Sequence, residues 1–320
     1  MRRFAAFACL AVLAAGATAC GSSGTPPAKS APGQKDKVAA SVIAIVDVAP
    51  IYLGKQKGFF DQQNIDLTLS TSQGGAAIVP AVVSGQVQIG FSNMTSLLLA
   101  ASKGLPVKVV CNGVASTGVA DKDYSAVLVK AGSPVHTAAD LAGKTVAVNT
   151  LKNIGDTTVR ASVRKAGGDP KAVRFVELAF PDMLAALQAG RVDAIWEVEP
   201  FVTAALGTGA RMVAANYVDT APNLTVATYF ASVALTKANP DLVKRFVAAM
   251  NQSLQYADAH PDEVRQALGT YTKITPDVAA KLILPKWPTG INRQSVQTLA
   301  DLAVGDGLMD KAPDLNALLP

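Results

Sequence analysis

TVAVNTLKNIGDTTVRASVRKAGGDPKAVRFVELAFPDMLAALQAGRVDAIWEVEPF, residues 145–201, decides the fold. TVAVN (145–149) is short and β-branched, as a buried strand requires. In DTTVRASVRKAGG (156–168), Val159, Val163 and Ala166 share one helical face, and Gly167 can take the left-handed position past the helix end. VRFVEL is a second strand. PDMLAALQAG is a second helix, with Pro181 in its first turn and Gly190 at its end. DAIWEV and EPFVTAALG repeat the pair. Strands separated by helices predict a parallel sheet with helices on both faces.

The same alternation runs through the preceding hundred residues. VAASVIAIV (38–46), IDLTLS (65–70), VQIGFS, PVKVVC and SAVLVK (125–130) read as strands. Between them, PIYLGKQKGFF, AAIVPAVVSG (76–85) and MTSLLLAASKG read as helices. After residue 201 come a strand-like segment, TVATYFASVAL (225–235), and a helix opened by Asn239-Pro240. That helix carries Leu242, Phe246, Met250, Leu254 and Ala257 on one face. The class expected is α/β with two lobes, residues 37–124 plus 232–320 and residues 125–231, each with a parallel-type sheet and flanking helices. A chain that leaves one lobe, builds another and returns needs two hinge crossings, expected near 122–129 and 224–233.

Met1-Arg2-Arg3 followed by an almost wholly apolar run to Ala19 describes a signal peptide, residues 1–19. The run is too short to span a bilayer as a helix. Cys20 then begins a polar Gly, Ser, Pro, Ala and Lys tether through residue 36, the pattern of a lipidated cysteine, although Ala17 stands where Leu is usual. The chain is therefore expected to be exported and anchored to the outer face of the cell membrane through Cys20. Cys9 leaves with the signal and Cys111 has no partner, so Cys111 reads as a small buried apolar residue. The net charge of +5 includes Arg2 and Arg3, and no basic run interleaves with aromatics. Nucleic acid is excluded as a partner on that ground.

In open parallel sheets ligands bind beyond the carboxyl ends of the strands. Each loop there is small or polar: Asp47 to Pro50, Ser70 to Gly75, Ser92-Asn93, Asn112-Gly113, Asn149 to Asp156, Ala179 to Asp182 and Glu197 to Pro200. In TSQGGAA, Gly74 and Gly75 admit close backbone approach, and the following helix offers free N–H groups. NTLKNIGD does the same in the second half, so two facing helix N-termini would make an anion site without arginine. Glu197 and Glu199 offer carboxylates to a ligand's N–H groups, with Glu199 alternatively a first-turn residue favoured by the helix dipole. Trp196 reads as core. Tyr52, Phe180 and Tyr229 lie near the cleft. No metal-ligand spacing, GxSxG elbow, GxxxxGK[ST] loop or GxGxxG after a strand occurs, and there are only two histidines. No metal or cofactor is expected, and a polar cleft without an acid–base constellation reads as a binder and not an enzyme.

The motif order PIYLGKQKGFFDQQNIDLTL, SQGGAAIVPAVVSGQVQIGFSN, DLAGKTVAVNT, VRFVELAFPDMLAALQAGRVDAIWEVEPF and ANPDLVKRFVAAMNQSLQYA resembles the solute-binding proteins of ATP-driven importers. The group resembled handles aliphatic sulfonates, taurine and nitrate, and includes binders of pyrimidine precursors of thiamine. The resemblance implies a type II periplasmic-binding-protein-like fold, a small solute as ligand, a membrane permease and ATPase as partners, and a monomer. It implies ligand contacts at Ser72, Gly74, Gly75, Ser92, Asn93, Asn149, Thr150, Asp156 and Glu197. Helix N-termini favour a sulfonate, nitrate or carboxylate; Glu197 and Asp156 favour added N–H donors, as in taurine or an aminopyrimidine. A fold-related pyrimidine synthase is the rival of another class, and the cysteine-rich motif and histidine expected of it are missing from the cleft loops.

Overall fold

The computed structural model describes residues 34–320. The segments expected to be a signal peptide, a lipidated Cys20 and a tether fall, up to residue 33, outside the described residues. Among the described residues, ten strands form two five-stranded sheets. The first holds β1 (Asp36–Val42), β2 (Ile65–Thr71), β3 (Ile89–Asn93), β4 (Val107–Ala115) and β10 (Thr225–Ser232), in the order β2-β1-β3-β10-β4. The second holds β5 (Ser125–Val129), β6 (Thr145–Val148), β7 (Arg174–Glu177), β8 (Ala194–Val198) and β9 (Arg211–Ala214), in the order β7-β6-β8-β5-β9.

The two orders are the same plan used twice. β1, β2 and β3 pair in parallel, as do β6, β7 and β8, as strand–helix–strand alternation requires. One strand in each sheet runs the other way. β10 is antiparallel to β3 and β4, and β5 is antiparallel to β8 and β9. Each is the first strand the chain forms after crossing from the other sheet, so it enters from the opposite end. The sheets are therefore mixed, not wholly parallel.

This placement moves one expected boundary. Residues 225–231, expected with the segment 125–231, pair in the first sheet as part of β10. The crossings fall just before β5 and β10, in 116–124 and 221–224, because an apolar strand pattern does not reveal which sheet it joins. β9 lacked any sequence signal: it is four residues long behind Gly209.

The helix Pro240–Ala259 buries Leu242, Phe246, Met250, Leu254 and Ala257 as its periodicity requires. It crosses the helix Ala49–Gln56 so closely that a Cβ on Gly54 would overlap Ser253 Oγ and lie 2.8 Å from Ser253 Cβ. The helix Ile154–Lys165 buries Val159 and Val163, whereas Ala166 is its exposed C-cap. Gly85, Gly167 and Gly190 all have positive φ at helix ends. Trp196 is core, packed near Phe180 and Tyr217 with its indole N–H donating to Ser125 Oγ at 3.0 Å. Cys111 is buried and free.

Candidate functional site

The carboxyl ends of the two sheets face each other, and most of the expected loops meet there. Gly74 is the extended N-cap (φ −171°, ψ 162°) of the helix Gly75–Val83. A Cβ on it would stand 2.9 Å from Thr150 Oγ1 and 3.2 Å from Asn149 Nδ2, across from the second sheet. Gly75 is pressed against its own sheet: a Cβ there would overlap Ser92 Oγ and lie 2.8 Å from Ser92 Cα. Gly74, Gly75, Ser92, Asn149 and Thr150 thus form one contiguous cluster. At 75 close approach within its own sheet admits only glycine, whereas at 74 a side chain would meet only the facing half; in neither case is backbone conformation the reason.

A second seam lies beside it. Asn93 caps the helix Met94–Ser102 by accepting from Ser96 N at 2.9 Å. Asn153 caps the helix Ile154–Lys165 by accepting from Ile154 N at 2.8 Å, and its amide donates to Ser96 Oγ at 2.9 Å. Ser96 and Asn153 are both buried, so this bond joins one helix N-terminus from each sheet in a dry contact. Arg164 and Asp306 add an ion pair at 2.5 Å farther out. Ser72 sits at the edge, its hydroxyl 3.1 Å from Ser41 Oγ. It lines a cavity of about 280 Å³ with Ile45, Thr71, Gln73, Phe180 and Phe201, the two phenyl rings stacked at 5.8 Å.

The carboxylates divide by role. Glu199 is structural: it accepts from Thr203 Oγ1 at 2.6 Å, Thr203 N at 3.0 Å and Ile283 N at 3.2 Å, while its carbonyl accepts from Val46 N at 3.1 Å. It caps the helix Phe201–Gly207 and ties three chain segments together. Asp156 accepts from Lys152 N at 3.0 Å through one oxygen, and its other oxygen has no partner. Burial pushes its carboxyl up to about 6, against the Lys152 N–H and the Arg160 charge. Glu197 stands opposite Ala126 in β5, on the face of β8 away from Trp196. It is fully buried, both oxygens lack partners, and burial raises its carboxyl well above the usual range. Its side chain makes no bond to the Gly74 cluster.

Sequence reasoning placed Tyr229 near the cleft, named Asp47 and Asn112 only as members of strand-end segments, and passed over Thr95. Each has a buried side-chain oxygen without a partner among the described residues: Asp47 Oδ1, Thr95 Oγ1, Asn112 Oδ1 and the Tyr229 hydroxyl. Asn112, Glu197 and Tyr229 stand in β4, β8 and β10, whereas Asp47, Thr95 and Asp156 stand in the helical turns that follow β1, β3 and β6. Buried polar groups are nearly always bonded in folded proteins. A concentration of unpaired acceptors along the facing sheet ends is unlike a core and suits a site whose partners arrive with a ligand. The available signal was that Asp47 and Asn112 are polar residues following apolar strand sequence, although Asn112 proves to lie within β4 itself.

The family described as NMT1/THI5 like matches residues 45–264. The taurine-binding periplasmic protein of Escherichia coli (strain K12) is 30% identical over 192 residues, 59% of this chain and 56% of that protein. The riboflavin-binding protein RibY of Chloroflexus aurantiacus is 26% identical over 234 residues, 72% of this chain and 64% of its own length. The chain thus spans less than two thirds of either relative. The structure of the alkanesulfonate-binding protein SsuA from Xanthomonas axonopodis pv. citri, bound to MOPS, has a TM-score of 0.76 at 20% identity, covering 90% of this chain and 100% of that one. That likeness shows a shared fold.

Proposed function

The chain belongs to the NMT1/THI5-like family, and from that premise we propose that it is the solute-binding protein of an ATP-driven importer, capturing a small solute between the two sheets. The observation that carries this reading is the contact of Gly74 with Asn149 and Thr150 across the cleft, beside unpaired buried acceptors on both sides. A solute touching both halves favours the closed arrangement by its differential affinity, and a permease then reads the closed shape.

The solute class follows from the lining. The N-termini of the helices Gly75–Val83, Met94–Ser102 and Ile154–Lys165 converge, which favours an anionic or acceptor-rich group. Asp156 and Glu197 ask for N–H donors. A small sulfonate carrying an amine satisfies both, within the sulfonate, taurine and nitrate class. A pyrimidine precursor of thiamine is the second reading, favoured by the stacked Phe180 and Phe201 rings on the cavity wall. The role is binding without chemical conversion.

The test is a thermal-shift panel of ethanesulfonate, taurine, nitrate and aminopyrimidines. A solute at a hundred times its Kd stabilises the fold by about 2.7 kcal/mol, so a true ligand is plainly visible. Glu197→Gln is expected to weaken the best ligand about tenfold or more, in line with the loss of a charge-assisted hydrogen bond. Unchanged affinity removes Glu197 from the site, and turnover of the bound molecule overturns the binding reading.

The extracytoplasmic location is proposed to depend on lipid at Cys20, which holds the binder near its permease and raises its effective concentration there. Cys20→Ser is expected to move the protein from the membrane fraction to the soluble fraction; retention at the membrane would refute the anchor.

A further inference from the structure

We propose that Asp47, with the hydroxyls of Tyr229 and Tyr124, forms a second subsite in the same cleft, one that takes a protonated amine of the solute. This rests on the solute-binding reading above and deepens it.

Asp47 follows the carboxyl end of β1, at the same sheet edge as Ser72, Gly74 and Ser92. Its neighbour Val46 donates to the Glu199 carbonyl at 3.1 Å, which places Asp47 where the first sheet meets the second. The backbone there is held firmly: the Trp287 indole N–H donates to the Asp47 carbonyl at 3.1 Å, and the Tyr271 hydroxyl to the Ile45 carbonyl at 3.1 Å. Only the side chain is left wanting. Asp47 is 2% exposed, receives one long bond from the Tyr124 hydroxyl at 3.4 Å on Oδ2, and has no partner on Oδ1. Tyr229 is 0% exposed and its hydroxyl is likewise unpaired.

A purely structural acid in this protein looks different. Asp123 accepts from Ser116 Oγ at 2.9 Å, Thr117 N at 2.8 Å and Thr117 Oγ1 at 3.1 Å, and Glu199 is equally well bonded. Among the described residues no Lys or Arg pairs with Asp47. The surroundings are aromatic. The charge of Asp47 reaches Tyr124, Tyr217, Tyr229 and Tyr271, and Tyr52 stacks on Tyr271 at 3.9 Å. Four of the chain's six tyrosines therefore lie within electrostatic reach of Asp47, and Tyr124 touches it. A buried carboxylate among tyrosine rings, with the unpaired Tyr229 hydroxyl, is the chemistry that recognises an ammonium group, through counter-charge, hydrogen-bond acceptors and π faces.

The test is titration calorimetry of the full chain with 2-aminoethanesulfonate and ethanesulfonate, which share an anionic end and differ in the amine. Wild type is expected to bind the amine-bearing compound at least thirtyfold more tightly. Asp47→Asn is expected to reduce that ratio below threefold, and Tyr229→Phe to reduce it partly while leaving the unliganded melting temperature unchanged or higher. Equal binding of both compounds by wild type overturns the proposal. So does an Asp47→Asn variant that keeps the ratio while Glu197→Gln loses it, which would place the amine at Glu197. If neither sulfonate binds, ethylammonium chloride separates the two readings. A melting shift in wild type that Asp47→Asn abolishes keeps the subsite and discards the sulfonate class, and no shift discards both.

Discussion

Gly74→Val is expected to abolish solute capture, with affinity falling at least a hundredfold, while the unliganded protein unfolds within about 0.5 kcal/mol of wild type, as for substitutions away from a packed core. The backbone at Gly74 is extended (φ −171°, ψ 162°), a conformation any residue adopts and β-branched ones favour. Nothing within its own sheet opposes a side chain. What a Cβ would meet is Thr150 Oγ1 at 2.9 Å and Asn149 Nδ2 at 3.2 Å, both on the other half of the molecule. Valine adds two methyl groups to that contact and wedges the cleft open. Small-angle scattering should then show the same radius of gyration with and without the solute, whereas wild type contracts. Gly75→Ala supplies the contrast. Its Cβ would lie 2.8 Å from Ser92 Cα within one sheet, so the backbone itself must shift, at a cost to stability of about 1–3 kcal/mol. A Gly74→Val protein that still binds normally would mean that the approach of Gly74 to Asn149 and Thr150 is not part of the geometry that grips the solute.

How far the site was legible in the sequence depended on whether a residue's role is local. That Gly74, Gly75, Ser92, Asn149 and Thr150 come together was legible because each lies at or soon after the end of a strand, and strand ends in an α/β chain converge by topology. The lone antiparallel strands were not, since TVATYFAS and SAVLV look alike whichever sheet receives them, and a crossing reverses direction without marking the sequence. Glu197 and Glu199 are separated by one residue, yet the first is unpaired and buried while the second is a helix cap bonded three ways. Their difference lies in neighbours, Thr203 and Ile283, that only folding supplies. The Asp47 cluster was the least visible part. Tyr124, Tyr217, Tyr229 and Tyr271 span more than a hundred positions with no regular spacing, so no motif announces that they lie near one acid.

Those same buried acids lead to the second large effect: the unliganded protein is expected to be more stable at pH 5 than at pH 8. Burial raises Asp47 from 3.8 to about 7 and Asp156 from 3.8 to about 6, and raises Glu197 well above 4.5. A carboxyl whose folded pKa lies above its unfolded one keeps its proton in the fold and releases it on unfolding. The associated stability is complete below the unfolded value and is lost as pH climbs through the folded one. For Asp47 the window is pH 4 to 7, and for Asp156 pH 4 to 6. Each unit is worth about 1.4 kcal/mol, so the rise at Asp47 alone corresponds to about 4 kcal/mol. Asp140 and Glu263 are lowered instead, the first by the His136 and Thr137 backbone N–H groups and the second by Lys57, and they act oppositely below about pH 4. Urea unfolding at pH 5, 6, 7 and 8 should therefore show a falling midpoint, with a shallower fall in Asp47→Asn. Saturating 2-aminoethanesulfonate should flatten the wild-type profile, because an ammonium ion beside Asp47 favours its charged form and removes the cost of ionising it in the interior. A midpoint that rises steadily with pH in the unliganded protein would show that these carboxylates already have their counter-charges within the fold, and would leave the cleft with nothing to offer an amine.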